Sequence, residues 1–355
     1  MKKLFKALLF VGTAFILTAC AGSESIGERA IIKTIFIDYT EESYEASLVV
    51  FTCEPSTDTA SVKEKPRVFT GSGQSVEDAL RAAEEEQNKS PFYAQNELLF
   101  LSEDAARTKA SEILAFFARE DAQRPNLAVF ITPCTSGQLA DCDENLSVIV
   151  REGERIAAGK SESVQARRLY EFSANSEEPL SAYLPIYRFG AQEDYCGVQE
   201  LAVLSADGEN LLLRDNAMRL LLLLDGKLSA FTLHNMTEDK INAEMQDVRL
   251  SFAANCKNGT PSLQLFVTGY IRSVTNQSGK PQDKSKAKQL AKAINQYIET
   301  NALLLLQETF LKGNDVFSYT QHLRNVDSAL CDTLLAQNAF YQNISITLTS
   351  DLKVI

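Results

Sequence analysis

Two kinds of apolar pattern alternate along the chain, and this alternation restricts the fold more than any other feature of the sequence. Short runs rich in β-branched and aromatic residues predict strands, and runs with an apolar residue at every third or fourth position predict helices. The first half has predicted strands at residues 30–38, 44–53, 96–102 and 127–132, and predicted helices at residues 75–87 and 103–120. Strands that alternate with helices in this way predict an α+β domain.

The second half continues with shorter elements and ends in a long helix and a strand. Short strands are predicted at residues 183–189, 199–205 and 227–233, followed by strands at 245–252 and 262–272, a long helix after Asp283 and a terminal strand at 344–354. We expect an α+β fold of three mixed α/β domains with antiparallel or mixed sheets. These are an N-terminal domain (29–176), a small middle domain (177–236), and a C-terminal domain (237–355) with the long helix and a terminal edge strand.

The first nineteen residues read as a secretory signal rather than as part of the fold. Lys2, Lys3 and Lys6 form a basic start, and the apolar stretch at 7–17 is too short for a stable membrane-spanning helix. The following Leu17-Thr-Ala-Cys20 resembles the lipobox of bacterial lipoproteins, whose cysteine receives diacylglycerol. Residues 1–19 are therefore expected to be a signal peptide, with Cys20 the lipidation site and residues 20–28 the anchor and spacer. The alternative is an ordinary signal peptide with an incidental cysteine.

The charge of the chain restricts its partners. Removal of residues 1–19 leaves 32 basic and 47 acidic residues, a net charge of −15. A body of this charge has no electrostatic basis for binding nucleic acid or anionic lipid. We therefore expect no nucleic-acid partner, and we expect attachment to a membrane through the N-terminal lipid.

Motifs of catalysis are absent from the sequence. His-Glu-x-x-His, Gly-x-Ser-x-Gly and Cys-x-x-Cys do not occur, and only two histidines are present, His234 and His322. Gly71-Ser-Gly73 lacks the lysine of a nucleotide-binding loop, so capping of the next helix by Ser75 is favoured. The scarcity of catalytic groups predicts no enzymatic activity and no cofactor.

One stretch has the spacing of a calcium-binding loop without its geometry. Asp141, Asp143, Asn145 and Glu152 stand at positions of such a loop, but Leu146 occupies the position where the sharp turn needs glycine. A solvated acidic turn is therefore favoured, and no metal site is expected.

Seven cysteines are present, at positions 20, 53, 134, 142, 196, 256 and 331. With Cys20 assigned to lipid, six remain, and an even number in an exported protein permits disulfides. Cys134 and Cys142 are the favoured local pair. Ordinary buried thiols are the alternative for all six.

Four stretches, taken together and in order, resemble the Ger(x)C lipoproteins, the C subunits of bacterial spore germinant receptors. They are Cys20 followed by Glu28-Arg29 and the strand ending at Asp38; Gly73–Ala79 leading into Asn96–Ala105; Ile113–Pro125, which matches the family at Arg119 and Arg124; and Val267–Ile271 followed by the long helix and terminal strand. The chain resembles a divergent member. For example, Ala21-Gly22 replaces the family's Trp-Asp after the lipidated cysteine.

The resemblance carries functional expectations. It implies a protein without enzymatic activity, in which Arg119 and Arg124 are candidate interface residues and Cys20 carries a palmitate-type lipid. It also implies a location on the outer face of the spore inner membrane. It also implies assembly with the integral-membrane A and B subunits of the receptor in nutrient-triggered germination. A surface solute-binding lipoprotein of the cell envelope is the alternative function, since it would share the anchor and the acidic body.

Overall fold

The computed structural model describes residues 29–55, 62–87, 89–119, 126–140, 142, 146–158, 166–172, 181–189, 196–205, 210–237, 240–257 and 259–355. Within these ranges the chain forms two β-sheets flanked by helices. The α+β fold with mixed sheets is therefore confirmed. None of the helices described is long and apolar enough to cross a membrane.

The first sheet is parallel at its centre and antiparallel at its sides. Its strands are β1 (Arg29–Thr40), β2 (Ser43–Pro55), β3 (Val62–Gly73), β4 (Ser90–Phe92), β5 (Leu98–Ser102), β6 (Ala128–Thr132), β7 (Arg167–Arg168), β8 (Ala182–Arg188), β9 (Gly197–Leu204) and β10 (Leu211–Arg214). The order is β10-β9-β8-β6-β5-β1-β2-β3, with β4 beside β1 and β7 beside β6. The central strands β5 and β6 are buried along their whole length, as expected of parallel strands covered on both faces.

Between β3 and β7 of this sheet, the described residues form the helices α1 (Val76–Glu86), α2 (Glu103–Thr108), α3 (Ala110–Arg119), α4 (Ser136–Ala140) and α5 (Leu146–Ala157). The predicted cap is confirmed, because the Ser75 side chain accepts a hydrogen bond from the backbone N–H of Asp78. The single helix predicted at 103–120 is instead two helices. Lys109 leaves helical geometry between them, and each helix buries its own apolar side chains against the sheet.

Close packing of α1 on the sheet requires glycine in β3. A Cβ atom at Gly71 would lie 2.6 Å from the carbonyl oxygen of Ala79 and would also collide with the backbone nitrogen of Ala83. Gly71 therefore allows a helix backbone to approach the strand where no other residue fits. Strand β3, which was not among the predicted strands, pairs with β2 along its length.

The second sheet has the order β11-β12-β13-β14, with β11 (Phe231–Met236), β12 (Ile241–Lys257), β13 (Thr260–Thr275) and β14 (Ser345–Val354). The accompanying helices are α6 (Asp215–Leu224), α7 (Lys284–Glu308), α8 (Tyr319–Arg324), α9 (Ser328–Ala336) and α10 (Phe340–Asn343). The long helix α7 is capped by Asp283, whose carboxylate accepts a hydrogen bond from the backbone N–H of Lys286. Its buried side chains Ile294, Ile298 and Ala302 pack toward β14, the predicted terminal edge strand, which pairs in parallel with β13.

A shared core joins the two sheets. The leucines of α6 at positions 220–224 are all buried, and α6 contacts β9 of the first sheet, β11 of the second and α7. The boundary proposed at residue 177 falls between strands β7 and β8 of one sheet, and that at residue 237 falls between the paired strands β11 and β12. The strands predicted for the middle domain are therefore shared between the two sheets.

Candidate functional site

Of the three residues predicted to carry function, the structure describes Arg119. Cys20 and Arg124 lie outside the described residues. Arg119 is the last residue of α3, and its side chain is exposed. The apolar face of α3, formed by Ile113, Leu114 and Phe117, is buried in the core. Arg119 is thus carried on a rigid helix that is fixed to the sheet, with its guanidinium group facing solvent.

A buried group of charged side chains lies next to α3. Helix α3 packs against a single 3₁₀ turn, Leu169–Glu171, and Glu171 of that turn forms an ion pair with Arg167. We name the side chains of Arg167, Glu171, Tyr183 and Asp225 the charged cluster. The sequence analysis did not identify it, because its members are distant in the sequence and Asp225-Gly226 has the composition of a turn.

Arg167 is the centre of the charged cluster. Its Nε lies 3.1 Å from a carboxylate oxygen of Glu171, and its Nη1 lies 3.2 Å from a carboxylate oxygen of Asp225. The guanidinium carbon stands 4.6 Å from the centre of the Tyr183 ring, an arrangement that favours a cation over an aromatic face. The Arg167 side chain is only 12% exposed. Burial of such a charge is costly unless it is paired, and here two carboxylates supply the pairing.

The electrostatic environment keeps Tyr183 protonated. Burial raises the pKa of Tyr183 strongly, and the neighbouring Asp225 carboxylate, which accepts a 2.6 Å hydrogen bond from its hydroxyl, raises it further. Burial also raises the pKa of Asp225, against the opposing effects of Tyr183 and Arg167. Tyr183 and Asp225 are therefore coupled, since each shifts the pKa of the other.

The charged cluster joins the two halves of the molecule. Arg167 and Tyr183 belong to β7 and β8 of the first sheet, and Asp225 follows α6 directly. The hydroxyl of Tyr319, in α8 beside the second sheet, donates a 2.7 Å hydrogen bond to the carbonyl of Leu224, the residue before Asp225. A cavity of about 280 Å³ borders the cluster and is lined in part by Arg168, Tyr170 and Lys227. The arrangement fixes the position of one sheet relative to the other.

Both histidines make contacts that stabilise the fold. His234 lies in β11, where its backbone N–H donates to the side-chain oxygen of Asn216. The ring of His322 lies 4.5 Å from the ring of Phe252. Within the part of the chain that the structure describes, no group of three or more metal-ligating side chains occurs.

The structure describes only the end of the acidic stretch near residue 145. Residues 141, 143 and 145 lie outside the described residues, but Glu152 lies in α5 and accepts two hydrogen bonds from Arg155. Helix α5, which had not been expected there, buries Leu146, Ile149 and Val150. Leu146, which departs from the calcium-loop pattern, is therefore the first buried residue of a helix.

Comparison with known proteins connects this fold to a family. Residues 22–189 match the family model described as the spore germination protein N-terminal domain. The matched range begins two residues after Cys20 and includes β1 to β8. None of the curated proteins matches the sequence.

A solved structure shares the fold over most of the chain. The crystal structure of the GerBC protein is similar to this one with a TM-score of 0.56 at 13% sequence identity, over 90% of this chain and 96% of that one. Because it covers 90% of the chain, this likeness extends beyond residues 22–189, the range of the family match. These findings agree with the order of the four sequence stretches described above. Residues 22–189 thus match a spore germination protein N-terminal domain, and the fold of the chain is similar to that of the GerBC protein.

Proposed function

We propose that the protein is a non-enzymatic, lipid-anchored subunit that assembles with the integral-membrane A and B subunits of a germinant receptor. Diacylglycerol on Cys20 holds it on the outer face of the spore inner membrane, and it takes part in nutrient-triggered germination. The observation that carries the proposal is the match to the spore germination domain, which begins two residues after the lipobox cysteine.

The anchor follows from two properties of the sequence. The mature body has a net charge of −15, so anionic lipid headgroups repel it on average. Each buried methylene of an acyl chain contributes about 0.8 kcal/mol, and two or three chains on one cysteine give stable attachment. Lipid therefore holds the body at a surface that its net charge disfavours.

Arg119 is the proposed contact with the membrane subunits, together with Arg124. It is exposed at the end of a buried helix, and it forms no ion pair with any other residue that the structure describes. An arginine held in this way can form a bidentate pair with a partner carboxylate at little cost in side-chain ordering. The charged cluster behind α3 fixes the helix and the sheets that present Arg119.

The test is purification from spore inner membranes. We expect the native protein to be recovered with the membrane fraction and with two integral-membrane subunits. Cys20→Ala should release the protein from the membrane fraction, whereas the control Cys196→Ala, which alters a different cysteine, should leave it bound. Recovery of Cys20→Ala in the membrane at the native level would contradict the lipid anchor, and recovery without any membrane subunit would contradict the assembly.

The solute-binding alternative predicts different behaviour. Such a protein binds its ligand without partners, so titration of the purified chain with amino acids and sugars should give stoichiometric binding. A germinant receptor subunit that acts through assembly should give none under the same conditions. The fold favours the receptor subunit, because the second sheet is largely antiparallel and does not form the second doubly wound lobe of a solute-binding protein.

A further inference from the structure

A cavity of about 550 Å³ lies between α6 and the edge of the second sheet. Strand β11 is the outer strand of this sheet in the described residues, and α6 contacts it. The cavity is lined by apolar side chains, among them Leu228 and Phe231, and by the polar side chains of Arg219, Thr232 and Glu244. A cavity of this size with a few polar groups in an apolar wall is typical of a site for a small molecule.

The side chain of Asn216 in α6 covers part of the free edge of β11. It accepts a 2.9 Å hydrogen bond from the His234 N–H and donates a 2.7 Å hydrogen bond to the His234 carbonyl, as a neighbouring strand would. Peptide groups of a strand face alternate sides, so the N–H and C=O of Thr232 point to the same edge as those of His234. About one helical turn after Asn216, α6 presents Arg219 instead of a second amide. The edge at Thr232 therefore lies beside a cation.

Arg219 has no partner in the part of the chain that the structure describes. Its Nη1 is buried and makes no hydrogen bond to any of these residues. Asp215 attracts it without forming an ion pair, and burial lowers the pKa of Arg219 in spite of this attraction. A partly buried guanidinium group without a partner costs free energy, and a bound anion would remove this cost.

Glu244, the acid of the cavity wall, is already paired. Its carboxylate accepts a 2.8 Å hydrogen bond from Arg272 and a 3.0 Å hydrogen bond from the hydroxyl of Ser273. An ammonium group in the cavity would therefore find no free carboxylate there. The unpaired charge of the wall is that of Arg219, so the cavity favours a ligand with a negative charge and without a positive one.

We propose that this cavity binds a small organic monocarboxylate. The carboxylate accepts hydrogen bonds from the Arg219 guanidinium and from the Thr232 N–H, and the apolar part of the acid lies against Leu228 and Phe231. Hydrogen bonds between a guanidinium group and a carboxylate are roughly twice as strong as those between neutral groups, so they fix the orientation of the ligand. The proposal is independent of the lipid anchor and of the assembly.

Calorimetric titration of the purified full chain tests the ligand class. The probes are 4-methylpentanoate and benzoate, which carry one carboxylate on a branched and on an aromatic body. We expect both to bind saturably, and their uncharged amides to bind at least about tenfold more weakly. Leucine, which is 4-methylpentanoate with an added ammonium group, should also bind at least about tenfold more weakly. No saturation by either acid up to about 10 mM, or equal binding by the amides or by leucine, would overturn the proposal.

Variants of the cavity wall test the location of the site. Arg219→Met removes the charge but keeps much of the apolar stem, and it should weaken the binding of 4-methylpentanoate at least about tenfold. The matched control Arg81→Met, at an exposed site on α1, should bind as the native chain does. Ala230→Phe adds bulk at the cavity wall and retains Arg219, and it should also weaken binding. Native affinity in Arg219→Met, or in Ala230→Phe if Arg219→Met does not fold, would overturn the location.

Thermal unfolding separates a binding role of Arg219 from a structural one. Without ligand, Arg219→Met should unfold at the native Tm or above it, because the change removes an unpaired and partly buried charge. Saturating 4-methylpentanoate should raise the Tm of the native chain but not that of the variant. A lower Tm of Arg219→Met without ligand, together with an equal increase by the ligand in both chains, would assign Arg219 a structural role and overturn the proposal.

A side-chain carboxylate of a partner protein has the same chemistry as a free acid, and the assembled receptor distinguishes the two sources. The titration with 4-methylpentanoate is repeated on the complex purified from spore inner membranes. Equal binding by the isolated chain and by the complex supports a free acid as the ligand. Loss of binding in the complex alone would show that a partner fills the cavity and would overturn the small-molecule ligand.

Discussion

The phenolic hydroxyl of Tyr183 donates a 2.6 Å hydrogen bond to the carboxylate of Asp225, and this bond links β8 of the first sheet to the end of α6. Tyr183→Phe removes the donor and leaves a buried carboxylate with one partner fewer. We expect the free energy of unfolding to fall by about 1–3 kcal/mol. Urea denaturation followed by circular dichroism measures the change. Tyr270→Phe, at an exposed site in the second sheet, is the control and should change stability little.

Arg167 should contribute more to stability than any one of its partners. Arg167→Met preserves much of the apolar stem but leaves Glu171 and Asp225 facing each other without their shared cation. Loss of one side of a buried ion pair costs about 3–5 kcal/mol. The control is Arg81→Met on α1, whose exposed pair with Glu77 is worth only about 0.2–1 kcal/mol.

An equal loss of stability in Arg167→Met and Arg81→Met would show that the charged cluster is not a stabilising joint. Denaturation of both variants at low and at high salt distinguishes the cases further. The loss of stability in Arg167→Met should persist at high salt because its ion pairs are buried. The loss in Arg81→Met should become smaller, because salt screens an exposed pair.

The regular elements of this chain could be predicted because their signals are local. Ser75, which caps α1, and the alternation of β14 each appear within a few residues of sequence. Helix α5 and strand β3 were missed because tertiary contacts decide them. Leu146 argues against a calcium loop, but it is also the first buried residue of α5. Strand β3 is stabilised by its pairing with β2.

The charged cluster could not be predicted for a related reason. Arg167 and Asp225 are far apart in the sequence, and each stands beside polar or turn-forming residues that are typical of a surface. Only the parallel pairing of β6 with β8 and the position of α6 bring the two together. Local periodicity contains no information on such pairs.

Stability should fall at alkaline pH because buried tyrosines resist ionisation. Burial raises the pKa of Tyr183 and of Tyr319 well above the ordinary value. Since the folded-state pKa is raised, this contribution to stability is fully present below the unfolded-state pKa of about 10 and is lost as the pH rises from there through the folded-state pKa.

Urea denaturation at a series of pH values from neutral to alkaline measures this dependence. Tyr319→Phe removes one ionisable group, so the stability of this variant should decrease less steeply above pH ~10. Tyr270→Phe is the control and should show the native pH dependence. If the free energy of unfolding falls equally with pH in the native protein and in Tyr319→Phe, the prediction is wrong.

Gly71 should tolerate no side chain. Gly71→Ala places a methyl group against the backbone of α1, near Ala79 and Ala83, so the helix has to move away from the sheet. Overpacking of this kind costs about 1–3 kcal/mol. Gly137→Ala is the matched control, because a Cβ at that position meets nothing within 4 Å. It should be neutral or slightly stabilising, since alanine favours a helix. Similar stability of the two variants would show that α1 does not pack closely on β3.

Arg119 should matter for assembly and not for folding. Arg119→Glu reverses the charge at an exposed helix end, so we expect the free energy of unfolding to change by less than about 0.5 kcal/mol. Placing like charges against a partner carboxylate weakens the interface, and recovery of the membrane subunits with the protein should fall at least about tenfold. Co-purification from detergent-solubilised spore membranes, quantified against the anchored protein, measures this loss.

The matched control for Arg119→Glu is Arg81→Glu, which makes the same charge reversal on the exposed face of α1. It should retain the membrane subunits at the native level, because nothing in the family resemblance connects that helix with an interface. If both variants lose the subunits equally, the effect is one of net charge and Arg119 is not a specific contact. If neither loses them, the contact lies elsewhere on the molecule, and the end of α3 only supports the fold.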